Sequence, residues 1–157
     1  MEEGLAWLEK TAWAVAIRQS DWLYPWLEII HILGIVLLVG TALLFDLRLL
    51  GYARPLPVTG LARYLLPWSR RGLALVIPTG LLLFTTNAVE LGRNPTFWLK
   101  MSLLVIAGLN VAVFHRRTFR SVSAWPDHPT PLAARLAAVC SILVWVALIA
   151  CGRLLAY

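Results

Sequence analysis

The chain has 157 residues, of which 60% are hydrophobic and 14% charged, against roughly 45–50% apolar and ~25% charged usage in soluble domains. That imbalance excludes a soluble enzyme and leaves room for four apolar stretches of ~20 residues each, the layout of a small polytopic membrane protein. The net charge of +6 reports membrane topology rather than a nucleic-acid partner.

In chain order, residues 3–19 carry Leu5, Leu8, Ala12 and Val15 at helical spacing, interrupted by Glu9, Lys10 and Arg18. This predicts a short amphipathic helix on the outer membrane surface. The N-terminus has acids at Glu2 and Glu3 and no basic leader region, so the first span is expected to be retained. That span covers about 26–46, entered through Trp22, Tyr24 and Trp26 and closed by Asp46 and Arg48. Residues 58–68 place Leu61, Tyr64, Leu65 and Trp68 on one face, with Arg63, Arg70 and Arg71 able to meet anionic headgroups. An irregular loop stiffened by Pro55, Pro57 and Pro67 is the equal alternative.

The second span, about 72–89, contains Pro78 and Gly80, predicts a proline kink, and ends in Thr85, Thr86 and Asn87. The third, about 97–114, follows Asn94-Pro95-Thr96, where Asn94 or Thr96 caps the helix. The fourth, about 132–151, follows a connection rich in proline at Pro126, Pro129 and Pro131. The fold class is all-α, an integral membrane four-helix bundle forming one domain over 1–157.

The loops after spans one and three hold nine basic residues against Asp46 and Asp127, while the opposite side has five basic residues and six acids. Positive flanks stay cytoplasmic, so both termini are expected outside, in the periplasm if the membrane is a bacterial inner membrane. Cys140 and Cys151 lie on one helix and cannot bridge each other.

Polar groups inside spans mark either function or interhelical packing. His31 stands about five residues inside the outer end of span one, roughly 8 Å deep, with Glu28 and Gly34 on its face. Imidazole is a ligand for haem iron, copper and zinc, and a hydrogen-bond partner for a quinone. Lys100 and Glu90 approach the same level, with Asn87 and its threonines adding donors and acceptors. Glu28 either orients the imidazole or reaches to the interface, and an ion pair to Lys100 explains the same residues without a ligand.

The outer pocket is therefore read as His31, Glu28, Gly34, Asn87 and Lys100, for haem b, a quinone or a metal at His31, or as a histidine hydrogen-bonded across the bundle with no ligand. His115 lies roughly 20 Å from His31 along the membrane normal, so one haem iron cannot join them. On the inner side Asp46, Arg48, Arg70, Arg71 and Asn110 read as a structural network, with Asp46 pairing to Arg70 or Arg71 and Asn110 bonding across helices. Gly108 with Ala112, and the pairs Ala134 with Ala138 and Ala147 with Cys151, form small-residue packing faces. No phosphate loop, zinc spacing or nucleophile elbow occurs, and an enzyme working with its own residues is not expected.

The stretch Trp22-Leu23-Tyr24-Pro25, Glu28, His31-Ile32-Leu33-Gly34, Gly40 and Asp46-Leu47-Arg48-Leu49-Leu50-Gly51 resembles a family of small bacterial inner-membrane proteins of unassigned function. Pro67-Trp68, Gly80 to Phe84, Asn94-Pro95, Phe97, Lys100 and Asn110 continue the resemblance, which covers roughly residues 5–115. It implies a fold and the motif residues His31, Asp46, Arg48 and Lys100, without an activity. The shallow histidine is also similar to that of the membrane part of copper resistance protein D and of cytochrome-b-type four-helix proteins. The chain departs from both in lacking a methionine-rich copper path and a second histidine at the same depth.

The expected role is a small membrane subunit in a respiratory or redox setting, embedded in the lipid bilayer as a homo-oligomer or within a larger complex. The alternatives are a non-catalytic anchor or assembly factor, and transport of copper or a small solute, for which spans three and four show no continuous polar route.

Overall fold

A computed structural model of the chain describes residues 2–119, 122 and 130–155. Among these residues the fold is all-α, without strands: α1 (Glu2–Glu9), α2 (Ala12–Gln19), α3 (Leu23–Leu49), α4 (Val58–Thr86), α5 (Ala88–Arg93), α6 (Pro95–Val113) and α7 (Leu132–Leu154). A π-helical turn at Phe114–Thr118 extends α6. Arg120, Pro126, Asp127, His128 and Pro129 lie outside the described residues.

Among the described residues three segments are long and apolar enough to cross a membrane: α3, α6 with its extension, and α7. The protein is a membrane protein with transmembrane helices. The 27 residues of α3 reach about 40 Å by helical rise, more than the ~30 Å of bilayer hydrocarbon. Its C-terminus closes in a Schellman arrangement: Tyr52 N–H donates to Leu47 O and Gly51 N–H to Arg48 O. Gly51 sits at φ 105°, where an L side chain is strained.

Two expected segments merge. Residues 58–68 are neither a loop nor a separate surface helix; they are the first part of α4, which runs unbroken through Pro67 and Pro78 and stops at Thr86 instead of residue 89. Arg63, Arg70 and Arg71 confine its uncharged part to residues 72–86, about 22 Å by helical rise, and α4 is not among the three segments apolar enough to cross.

The expected single helix over 3–19 is two helices broken at Lys10-Thr11. The break forms where Thr11 turns its hydroxyl back onto Leu8 O at 2.6 Å. Both pieces dock on the α4–α5 corner. Glu9 Oε1 accepts from Val89 N at 2.9 Å, and Arg18 bridges Thr86 O and Glu9 O. Ala14 and Ile17 are buried beneath them. Asn94 caps α6 through Thr96 N, with Pro95 in the first turn.

Packing builds two antiparallel hairpins. In the first, α3 and α4 form the most extensive helix contact in the molecule. A Cβ on Gly72 would stand 2.6 Å from Leu38 N and 2.8 Å from Gly34 O, so the two backbones touch at the glycines. In the second, α6 and α7 meet through Ala107, Leu103, Val144 and Leu148.

The hairpins join where α3 meets α7: Phe45 and Leu49 pack on Ala134 and Ala138, both 0% exposed, with Phe114 closing the cluster edge-on to Phe45 at 6.0 Å. Contact between α6 and either helix of the first hairpin is marginal, apart from the stacked Phe84–Phe97 pair near the α4–α5 corner, 5.1 Å between centroids. The long helices thus touch in the order α4, α3, α7, α6. The small-residue face expected at Gly108 has no neighbour within 4 Å.

The glycine crossing gives a stability test. Gly72→Ala forces the two backbones apart and is expected to destabilise by about 1–3 kcal/mol. Gly40→Ala, which meets nothing within 4 Å, should be neutral or gain up to ~1 kcal/mol of helix propensity. Thermal unfolding in detergent followed by circular dichroism reads both. Equal effects would place the contact elsewhere.

Candidate functional site

His31 lies eight residues into α3, about 12 Å from the start of the helix by helical rise. The antiparallel crossing carries it onto α4, where its Nδ1 is 2.9 Å from Thr79 Oγ1. That hydroxyl has one proton and directs it to Leu75 O at 2.6 Å, within reach also of Val76 O at 3.3 Å. Thr79 therefore accepts from the imidazole: Nδ1 carries the proton and the neutral ring keeps its lone pair on Nε2. The ring rests on Gly80, where an added Cβ would meet His31 Cε1 at 3.0 Å. A larger residue there would push the imidazole away.

Lys100, half-buried in the second turn of α6, is within electrostatic reach of His31 and of the buried Cys151 on α7. It makes no hydrogen bond or ion pair among the described residues. The hydrogen-bonded part of the site is thus the imidazole of α3 and the hydroxyl of α4, with the Lys100 amine of α6 in its electrostatic surroundings.

The other expected members lie apart. Glu28 is exposed and interacts with Tyr24 one turn earlier, and Thr79, not Glu28, holds the imidazole. Gly34 is buried, but in the α3–α4 crossing, where an added Cβ would meet Gly72 O at 3.1 Å. Asn87 is an exposed residue at the α4–α5 junction with no side-chain capping bond. No group of three or more His, Cys, Asp or Glu side chains among the described residues is arranged to hold a metal ion.

At the opposite end of the long helices the expected network is rearranged. Asp46 is 7% exposed, and it faces Ser141 on α7, which hydrogen bonds its carboxyl. The expected pairing with Arg70 or Arg71 does not form, because those arginines lie on the exposed side of α4, Arg71 stacked over Trp68 at 4.5 Å. Asp46 Oδ2 has no hydrogen-bond partner among the described residues. Arg48 ties the α3–α4 loop through Leu56 O at 2.6 Å and Arg54 O at 3.2 Å. Asn110 Nδ2 donates to Ala137 O at 2.9 Å, bridging α6 and α7.

Thr79, Gly80 and Ser141 were not singled out by sequence reasoning as site residues. The available signal for Thr79 was its place seven residues before Thr86, two turns away on the same face of a span, next to a glycine.

The tautomer can be tested directly. Nitrogen NMR of ring-labelled His31 is expected to show a protonated Nδ1 and a bare Nε2 at neutral pH, and Thr79→Val should shift the population toward the Nε2–H form. A native ring already protonated on Nε2 would contradict the assigned direction of the hydrogen bond.

Neither a curated protein nor a solved structure matches the chain. The family model described as "Family of unknown function (DUF6644)" matches residues 20–157, from the residue after α2 through the whole of α7. Because that match includes every helix of both hairpins and leaves out only α1 and α2, the chain belongs to this family of unknown function.

Proposed function

We propose that the chain is a small subunit of a bacterial inner membrane, working in a respiratory or redox setting, and that its outer-level site binds a quinone. The observation that carries this reading is the hydrogen-bonded His31–Thr79 pair, which leaves Nε2 as an acceptor while Lys100, from the opposite hairpin, supplies a donor. A quinol has hydroxyl donors, and a quinone carbonyl acceptors, at opposite edges of an apolar ring. Nε2 accepts from one edge and the ammonium group donates to the other, so both redox forms find a partner. The marginal contact between α6 and α4 supports a lateral way in from lipid for an isoprenoid tail.

The same residues fit haem b and a metal ion less well. Iron in a bis-imidazole haem needs two histidines, and the described residues at this level offer His31 with the amine of Lys100 and the thiol of Cys151. A metal ion has no three-donor group here.

For the membrane arrangement we propose four crossings, α3, α4, α6 and α7, with the basic ends cytoplasmic and both termini periplasmic. Exposed Trp7, Trp13, Trp22, Trp26 and Trp98 gather toward one end of the helices and exposed Tyr52, Tyr64 and Trp68 toward the other, as amphipathic rings do at two interfaces. In this arrangement α4 crosses with its arginines reaching inner headgroups, which makes up for its short apolar length.

A second reading, a non-catalytic anchor or assembly factor, has support from α6, whose one buried residue is Ala107. Its bare flanks suit a partner helix as well as lipid. Co-purification of a fixed partner without any bound small molecule would favour it.

Quenching of tryptophan fluorescence by decylubiquinone tests the first reading. Saturable quenching is expected for the native chain, and His31→Ala should weaken it about tenfold, the ~1.4 kcal/mol of one lost hydrogen bond. His31→Gln, which keeps an acceptor, should recover part of the loss. Non-saturable quenching, or a His31→Ala variant that binds as the native chain does, would remove the quinone. A Soret band in the purified protein would replace it with haem.

A further inference from the structure

We propose that a groove at the inner end of α4 is a specific site for an anionic phospholipid, its phosphate held between Arg63 and Arg70 and an acyl chain lying on the groove floor. The groove has a volume of about 320 Å³ and is walled by Thr59, Arg63 and Arg70 on α4. Arg63 and Arg70 are seven residues apart, so they project from one face of α4 two turns apart, about 10 Å along the axis. Neither makes a hydrogen bond or ion pair among the described residues. Several neighbouring arginines are engaged: Arg71 covers Trp68, and Arg48 and Arg54 bond loop carbonyls. Two guanidinium groups on one wall, unpaired among the described residues, call for an anion, and the planar fork of arginine matches phosphate oxygens.

The floor decides what kind of anion. Ala62, Leu66, Phe119 and Val122 line it, and all four belong to or pack against the inner apolar core of Phe45, Leu49 and Phe114. A free phosphate would leave that surface bare, whereas a hydrocarbon chain covers it and extends the core. The height fits as well. Tyr64 and Trp68, on the same stretch of α4, are exposed aromatic residues of the kind that stand at headgroup level. The basic excess at this end of the helices adds attraction for anionic headgroups. The site is independent of the His31 reading, lying at the opposite end of α4.

Native mass spectrometry of the full chain in neutral detergent, with thermal unfolding as a second readout, tests the assignment. Dioleoylphosphatidylglycerol is expected to remain bound at one copy per chain and to raise the unfolding midpoint, while dioleoylphosphatidylcholine and inorganic phosphate do neither. Arg63→Gln with Arg70→Gln should weaken retention at least tenfold, with helical content by circular dichroism unchanged because both side chains are exposed. Arg71→Gln should leave retention unchanged. Equal stabilisation by the zwitterionic lipid would overturn the proposal, and so would protection by phosphate alone. A double variant that still holds the lipid, or an equal loss in Arg116→Gln with Arg117→Gln, would overturn it by showing that general basicity is enough.

Discussion

The backbone contact between α3 and α4 at Gly34 and Gly72 is the constraint on which the rest depends. With no Cβ on either side, Gly34 O and the Gly72 Cα region approach to van der Waals distance, and two helices that expose much of their apolar surface to lipid gain dispersion energy from close backbone packing. In hydrocarbon there is little hydrophobic drive to bring helices together, so small residues at the crossing must do it. About one turn further along α3 and two along α4 on the same antiparallel track, His31 is set against Gly80 and within hydrogen-bond distance of Thr79. Toward the inner end, the same track brings Phe45 and Leu49 onto Val58 and Ala62. One close approach thus positions both the outer polar site and the inner apolar core.

Much of the fold was legible in the sequence because the bilayer imposes length and polarity directly. The spans around residues 26–46, 97–114 and 132–151 correspond to α3, α6 and α7, and the Asn94 cap was visible as Asn-Pro-Thr before an apolar run. The errors fell where two rules competed. The prolines and arginines around 58–71 pointed to a separate surface helix or a loop over 58–68, yet the helix continues through Pro67, where in the proposed arrangement the freed carbonyl lies near water and headgroups and the missing bond costs little. Conversely, apolar spacing over 3–19 hid the break at Thr11, which a side chain bonding to its own backbone produces.

The candidate site was legible in part. A histidine inside a span stands out from composition alone, and so does Lys100. Their partners did not, because partnership is decided by the register of two hairpins, and register is set by a glycine pair that reads as ordinary span residues. Gly34, on the same face of α3, offered room beside the imidazole for a planar ligand or a neighbouring helix, and the structure uses that room for α4. Asp46 and Ser141 show the same limit: arginines plentiful nearby in sequence are on the outer side of α4, while a serine ninety-five positions along the chain supplies the hydrogen bond.

The spacing of polar groups along the helices also limits what the outer site can do. His31 and Asp46 are fifteen residues apart on α3, about 22 Å by helical rise, and the polar side chains between them are occupied locally. Thr41 donates to Leu37 O on its own helix, Ser102 to Trp98 O, and Asn110 is fixed on Ala137 O. None of these bonds hands on to the next, so the described residues contain no hydrogen-bonded chain from the imidazole to the inner carboxyl. A proton released by a quinol at Nε2 would therefore leave toward the nearer, outer surface. Charge separation across the bilayer, or passage of a polar solute, would need groups that the two hairpins keep hydrogen-bonded to backbone carbonyls.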